Sequence, residues 1–439
     1  MSAIVYRIVA LLGHLLLWVP VGTNLGLLHL LLALLSGRFL QSRGAVFPAL
    51  AEMGLSEQAV RRAGAALCYG RFESAALLSA WQRLVRSEGV WRAHTYEGIR
   101  PVACDLVGFF RPRLTGCAGQ HYQSQADKAL PAIVLALLAS VGSVGKQRLA
   151  LPRLLRRQEP TETTEADFQR RVLLQAGQTL APEEALIVDA GFALADLLDL
   201  GVARFVVRLK KNATARRNRL PAYKGKGRPP LYGARVRPLQ RKRQGQTRAA
   251  TPPDRVARWK VGGRCIKAHL CDNLVLPEAA PGAPAFRIVV IFDPRYKKPL
   301  VLATNLMVSA YALWCLYRDR WPIEQMPLAA KQMLGAERAF VFGAESRHRL
   351  PELALLAGNV LSYVAATSQP VATGFWDRAC RPTCGRLRRA LSHVNYSVLP
   401  LLAGQVRKKD SPTAHLPKGV KAPRRQKAEP VLERWRQAA

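Results

Sequence analysis

The stretch YRDRWPIEQMPLAAK, residues 317–331, carries more information than any other part of this chain. It spaces four residues as Tyr-x2-Arg-x3-Glu-x6-Lys: Tyr317, Arg320, Glu324 and Lys331. At 100° per residue, all four fall within about 60° of arc on one continuous helix. Such a face offers a carboxylate, two cations and an aromatic ring together. A carboxylate is a hard metal ligand, and cations beside a ring suit phosphates and an unstacked base. Taken by itself, the stretch reads equally as a surface helix with mixed charges and an aromatic edge. Two prolines bear on it. Pro322 restricts Trp321 and favours a break between Arg320 and Glu324. Pro327 is tolerable if the helix begins at Ile323 or Glu324. If the helix begins at Pro322, Pro327 removes an internal hydrogen bond at a cost of about 3 kcal/mol.

The rest of the chain supplies context. It has 439 residues, enough for two or three domains, with 66 basic against 29 acidic residues and a net charge of +37. A balance this basic points to nucleic acid before a membrane surface. The charge is concentrated. From Arg204 to Lys267 there are 21 Lys or Arg against one acid, Asp254. Strand-like apolar runs interrupt that cluster, so a solvated tail does not explain it. A second cluster, ten basic residues against three acids from Arg407 to Arg436, reads as a solvated tail. The eight cysteines contain no CxxC pair, and their spacing suits neither a zinc site nor a disulfide framework. Reduced thiols in the cytoplasm are the expectation.

The N-terminus is rich in leucine, with no Lys, Arg, Asp or Glu between Arg7 and Arg38. Pro20, Gly22 and Asn24 cut it into two pieces, each shorter than the ~20 residues that span a bilayer. A buried helical bundle over residues 1–95 is the expectation, with Ser56 capping a helix from Glu57. A membrane anchor over residues 8–37 is the alternative. Beyond Ile99 the texture becomes mixed. IRPVACDLVGFFRPRL reads as strands, and LPAIVLALLASVG, from Leu130, as a buried helix. A helix is expected over Asp167–Ala176, then a strand in EALIVDAGF ending at Asp189. A helix near 193–200 and a strand in ARFVVRLK follow. Residues 209–285 read as a basic, β-rich insertion. Strands return in FRIVVIFD and PLVLATN, followed by helices over 309–320, 323–334, 350–366 and 384–394. That order predicts a mixed α/β core with one large excursion. Gly142-x2-Gly145-Lys146-Gln147 lacks the first Gly and the Ser/Thr of a phosphate-binding loop.

Two acids stand inside or at the end of apolar strands: Asp105 in PVACDLVGFF and Asp189 in ALIVDAGF. A buried carboxylate is costly unless paired or bound to metal, although a strand-end Asp also caps turns. With Asp105, Asp189 and Glu324 in that order around a basic insertion, the chain resembles the DDE transposases of bacterial insertion sequences. Within them it is similar to the group carrying the Tyr-x2-Arg-x3-Glu-x6-Lys pattern. GRPPLYGARVRP in the insertion and SRHRLPELALLAGNVLSYV after residue 345 add to the resemblance, which spans roughly residues 30–395. It implies an RNase H-like core formed by residues 96–208 and 286–369, interrupted by the 209–285 insertion. It also implies an N-terminal helical, DNA-binding domain over residues 1–95 and a basic region over 370–439. Asp105, Asp189 and Glu324 would then be the catalytic acids, holding two Mg²⁺ ions that Mn²⁺ can replace. Tyr317, Arg320 and Lys331 would grip the phosphates and unstacked base at a transposon end, and Trp259 would stack a flipped base. The implied partners are inverted-repeat ends and target DNA, with a homodimer on paired ends. A decayed copy that only binds DNA, and a basic membrane-associated protein, are the competing expectations.

Overall fold

The computed structural model describes residues 2–394 apart from 112, 115–118, 160, 163, 224, 226 and 339. The basic cluster from Arg407 to Arg436 lies outside the described residues. Those described form mixed α/β structure around one large mixed sheet of thirteen strands.

The centre of the sheet is built from apolar segments covered on both faces, which read as near-continuous hydrophobic runs. Arg100–Phe110 pairs antiparallel with Lys128–Val144 and parallel with Glu184–Val188. Glu184–Val188 pairs parallel with Phe205–Arg208. The short helix Leu194–Asp199 connects those two strands, and the helix Glu165–Thr179 leads into the first of them, entered through a capping box in which Thr164 and Asp167 satisfy each other's backbone N–H groups.

The expectation of a buried helix from Leu130 is wrong. Those residues lie in the strand Lys128–Val144, whose hairpin partner is Gln147–Arg157. Burial on both sides hid the alternation. Ile133, Leu135, Leu137, Ala139 and Val141 enter one core, and Ala132, Val134, Ala136 and Leu138 enter another. Every position from Ala132 to Ala139 is apolar, so helical and strand periods cannot be told apart from the letters. Gly142 and Gly145 belong to this hairpin, and Gly145 supplies a positive φ (54°) at its turn.

Residues 209–285 carry short strands, as expected, but all except the separate hairpin of Arg241–Arg243 and Gln246–Arg248 extend the main sheet. Arg264–Val275 pairs antiparallel with Phe286–Phe292, and Leu300–Thr304 joins that strand to Phe205–Arg208. Arg255–Val261 pairs with Arg264–Val275 along its outer part.

The N-terminal residues are helical. Ser2–Leu16 and Asn24–Leu35 are separate helices broken around Pro20, and Ser56 caps Glu57–Tyr69 by accepting from the Ala59 N–H. Asn24–Leu35 is buried almost all round, as its unbroken leucine content requires. These helices share one core with the sheet and with the C-terminal helix Ser346–Thr367. Trp81 donates to Asn359 at 2.8 Å and packs edge-on against Tyr363, with ring centroids 5.4 Å apart. Ser346–Thr367 is the one helix among the described residues long and apolar enough to cross a membrane. Its most apolar window is 83% buried inside the protein.

Candidate functional site

Asp105 and Asp189 come together through sheet register. Ala103 pairs with Ile187 across the parallel strands, so continuing two residues sets Asp105 level with Asp189. Odd-numbered positions of both strands face one side. Ala103 and Val107 share a core with Ile323 and Met326, and Ile187 shares one with Leu313 and Leu316. Both acids therefore point toward the helices that carry residues 317–331. Each carboxylate is steadied by local backbone: Asp105 Oδ1 accepts from the Leu106 N–H at 3.0 Å, and Asp189 Oδ1 from the Gly191 N–H at 2.8 Å.

The two helices expected over 309–320 and 323–334 are both present, and the break between them falls at Asp319–Arg320, just before the place read from Pro322. One helix, Ala310–Arg318, ends in a cap at Asp319, and a second, Trp321–Leu328, begins after Arg320. Pro322 falls at the second position of the new helix, where its missing N–H costs little. Pro327 stands inside that helix, and the backbone widens into a π turn over Ala329–Met333. Such turns absorb an irregular hydrogen-bonding position without ending the helix.

The break divides the four residues between two clefts. Tyr317 and Arg320 line one of about 720 Å³, and Glu324 and Lys331 line another of about 410 Å³. Lys331 does not reach the first. Its Nζ donates to the Gly108 carbonyl at 2.6 Å and lies 5.3 and 5.4 Å from the ring centroids of Phe109 and Phe110.

Arg320 joins the acids. Its Nη1 lies 3.5 Å from Asp105 Oδ2, its Nη2 is bonded to Glu324 Oε1, and its side chain is only 12% exposed. Burial disfavours charge on Arg320, but the Asp105 and Glu324 carboxylates outweigh it and raise its pKa. Asp105 is pushed up to about 7, by burial first. Arg320 opposes the rise, and repulsion from Asp189 and Glu324 adds to it. These three acids thus crowd one another electrostatically around one guanidinium. As the side chains stand, no group of three or more His, Cys, Asp or Glu among the described residues is gathered closely enough to hold a metal ion.

The larger cleft is strongly cationic. Arg148, Arg208, Arg295, Lys297, Lys298 and Arg318 join Arg320 in lining it, with Trp314, Tyr317, Tyr296 and Trp321 supplying aromatic surface. Its one lining carboxylate, Asp293, is already paired with Arg295 at 2.6 Å. Sequence reading missed these cations. The run Arg295–Lys298 between two apolar strands is the signal that marks them.

Asp319 was also missed. Its carboxylate, 2% exposed, meets His94 Nδ1 at 2.6 Å, the Tyr96 hydroxyl at 2.9 Å and Arg148 Nη1 at 3.4 Å. It therefore ties the joint between the two helices to the sheet. Trp259, expected as a stacking platform, packs its ring against Tyr311 and Trp314 with centroids about 6 Å away. Trp314 links this cluster to the cationic cleft. No known protein family's profile matches the chain, and no curated protein is significantly similar to it.

Proposed function

We propose that the protein is a DDE-type DNA transposase with an RNase H-like core, cutting DNA at transposon ends and joining 3′-hydroxyl ends to target DNA. The observation that carries this reading is Asp105 on one strand and Asp189 just past the end of the parallel strand beside it, with Glu324 joined to Asp105 through Arg320. The seven cations of the neighbouring cleft support it, because a phosphodiester chain needs such charge beside the cutting residues. The excess of basic over acidic residues across 204–267 supports it independently.

Asp105, Asp189 and Glu324 would hold the metal. Their oxygen-only donor set fits Mg²⁺ or Mn²⁺, and a bound cation would relieve the repulsion that Asp189 and Glu324 add to the effect of burial on Asp105. When bound, two such ions activate a water or 3′-hydroxyl and stabilise the leaving oxygen. The chain's own residues supply the remaining functions. The rigid strands fix the acids, and the Leu106 and Gly191 N–H groups orient their oxygens. Tyr317, Arg320 and the surrounding cations hold phosphates, and Trp321, half exposed at the cleft, offers a face to a base. A homodimer on paired inverted-repeat ends belongs to the same proposal.

A second reading, a decayed copy that binds DNA without cutting it, is favoured by Pro327 and by the diversion of Lys331 to Gly108. One experiment separates the two: Mg²⁺-dependent cleavage of DNA carrying the gene's own flanking ends, by native protein and Asp189→Ala. End-specific cutting that requires Asp189 is expected. Salt-sensitive binding with no cutting by either protein would establish the second reading instead.

A further inference from the structure

Arg320 holds an unusual position for a residue assigned to DNA phosphates. Its guanidinium lies between two carboxylates on different elements, Asp105 on a strand and Glu324 on a helix. A guanidinium forks to serve two such partners, and it cannot release its proton to escape them. It is nearly buried, so water screens these contacts weakly. As the side chains stand, the acids are not gathered closely enough to close on a metal ion.

We propose that Arg320 acts as an internal counter-ion occupying the acid site in place of metal, so that metal binding and the Arg320 ion pairs exclude one another. This rests on the reading of Asp105, Asp189 and Glu324 as the metal-holding acids. The physical argument is charge balance. Three carboxylates crowded on one face need positive charge, and Arg320 supplies one unit where a divalent ion supplies two. Arg320 holds one oxygen of Asp105 and one of Glu324, the two carboxylates on which a metal here would also draw. A metal can therefore enter only as the guanidinium leaves, and Arg320 has somewhere to go because it also lines the 720 Å³ cleft beside the acids. The other cations there resist its entry, so the closed arrangement is the resting one.

The test is Mn²⁺ binding to the full chain at about pH 8, read from the electron paramagnetic resonance signal of free Mn²⁺. Native protein is compared with Arg320→Met and Arg320→Lys, each with and without Asp189→Asn. Met keeps the length and apolar stem of Arg320 without charge, and Arg320→Gln serves if the Met variant does not fold. Arg320→Met is expected to bind Mn²⁺ roughly tenfold or more tightly, from the loss of a competing charge at close range. Arg320→Lys should stay near the native affinity, and Asp189→Asn should remove the gain. Asp189-dependent binding of equal or lower affinity in Arg320→Met would overturn the counter-ion role while leaving the metal site standing. No Asp189-dependent binding in any variant would overturn the metal site and the function proposed from it.

Discussion

Replacing Asp105 by asparagine should stabilise the protein, and the gain should depend on pH. The Asp105 carboxyl titrates at about 7, against 3.8 for an ordinary aspartate, because burial and then the neighbouring acids outweigh the pull of Arg320. The native state therefore keeps a proton that the unfolded chain has released. Between about pH 4 and 7 the native state binds more protons, so stability falls as pH rises, and the full penalty is present above pH 7. A shift of about three units corresponds to about 4 kcal/mol. The side chain is 21% exposed, and screening by water reduces this to about 2 kcal/mol. Asparagine keeps the shape and an oxygen for the Leu106 N–H, and Arg320 keeps Glu324 as a partner. Thermal and urea unfolding of both proteins at pH 8 and pH 5 measure the effect. Asp105→Asn should be the more stable by about 2 kcal/mol at pH 8, with the gap shrinking by more than half at pH 5. Equal gaps at the two pH values, or a less stable variant at pH 8, would refute the argument that burial and the neighbouring acids hold a proton on Asp105.

Three further outcomes follow from other parts of the structure. His29 is buried in the leucine-rich helix, and burial, with Arg62 adding, lowers its pKa to about 4. Its folded pKa is depressed, so stability is lost as pH falls from 6.5 toward 4, by about 3 kcal/mol. His29→Leu should flatten that limb of the unfolding profile. Asp319→Ala removes the shared partner of His94, Tyr96 and Arg148, and should cost about 3 kcal/mol or more in urea unfolding, with Asp319→Asn intermediate. Lys297→Ala with Lys298→Ala should weaken DNA binding at every sequence tested. The pair should reduce the slope of log K against log salt by about 2, measured by fluorescence anisotropy across salt concentrations.

The parts of the fold that were legible are those in which a residue departs from its surroundings. Asp105 and Asp189 interrupt apolar runs, and Ser56 precedes a helix that starts with Glu57, so their places were marked locally. Lys128–Val144 gave no such mark, because a strand buried on both faces has no polar phase to reveal its period. The merging of residues 209–285 into the main sheet was invisible for another reason. Pairing between Arg264–Val275 and Phe286–Phe292 depends on long-range register, which letters within either strand do not encode.

The exact position of the helix break, at Asp319, is the most instructive detail. A regular spacing of Tyr317, Arg320, Glu324 and Lys331 argues for one face, yet Asp319 ends one helix and Arg320 precedes the next. The cause is partly local, since Pro322 has no N–H to carry the first helix past Arg318, and partly tertiary. Asp319 is held by His94 and Tyr96 near the sheet edge and by Arg148 on a neighbouring strand. These contacts from distant sequence, centred on a buried carboxylate, add to the break that Pro322 favours. The break has a consequence for the site. It turns Arg320 back onto Asp105 and Glu324, while Lys331, beyond the π turn, is carried to the Gly108 carbonyl. The same four residues thus contribute an acid, its counter-ion, a cleft-lining ring and a structural amine, each assigned by the position of the break. If Asp319 fixes that position, Asp319→Asn should disturb Mn²⁺ binding through Arg320 even though Asp319 touches none of the three acids. Unchanged Mn²⁺ affinity in a folded Asp319→Asn protein would show that Arg320 holds its place without the joint.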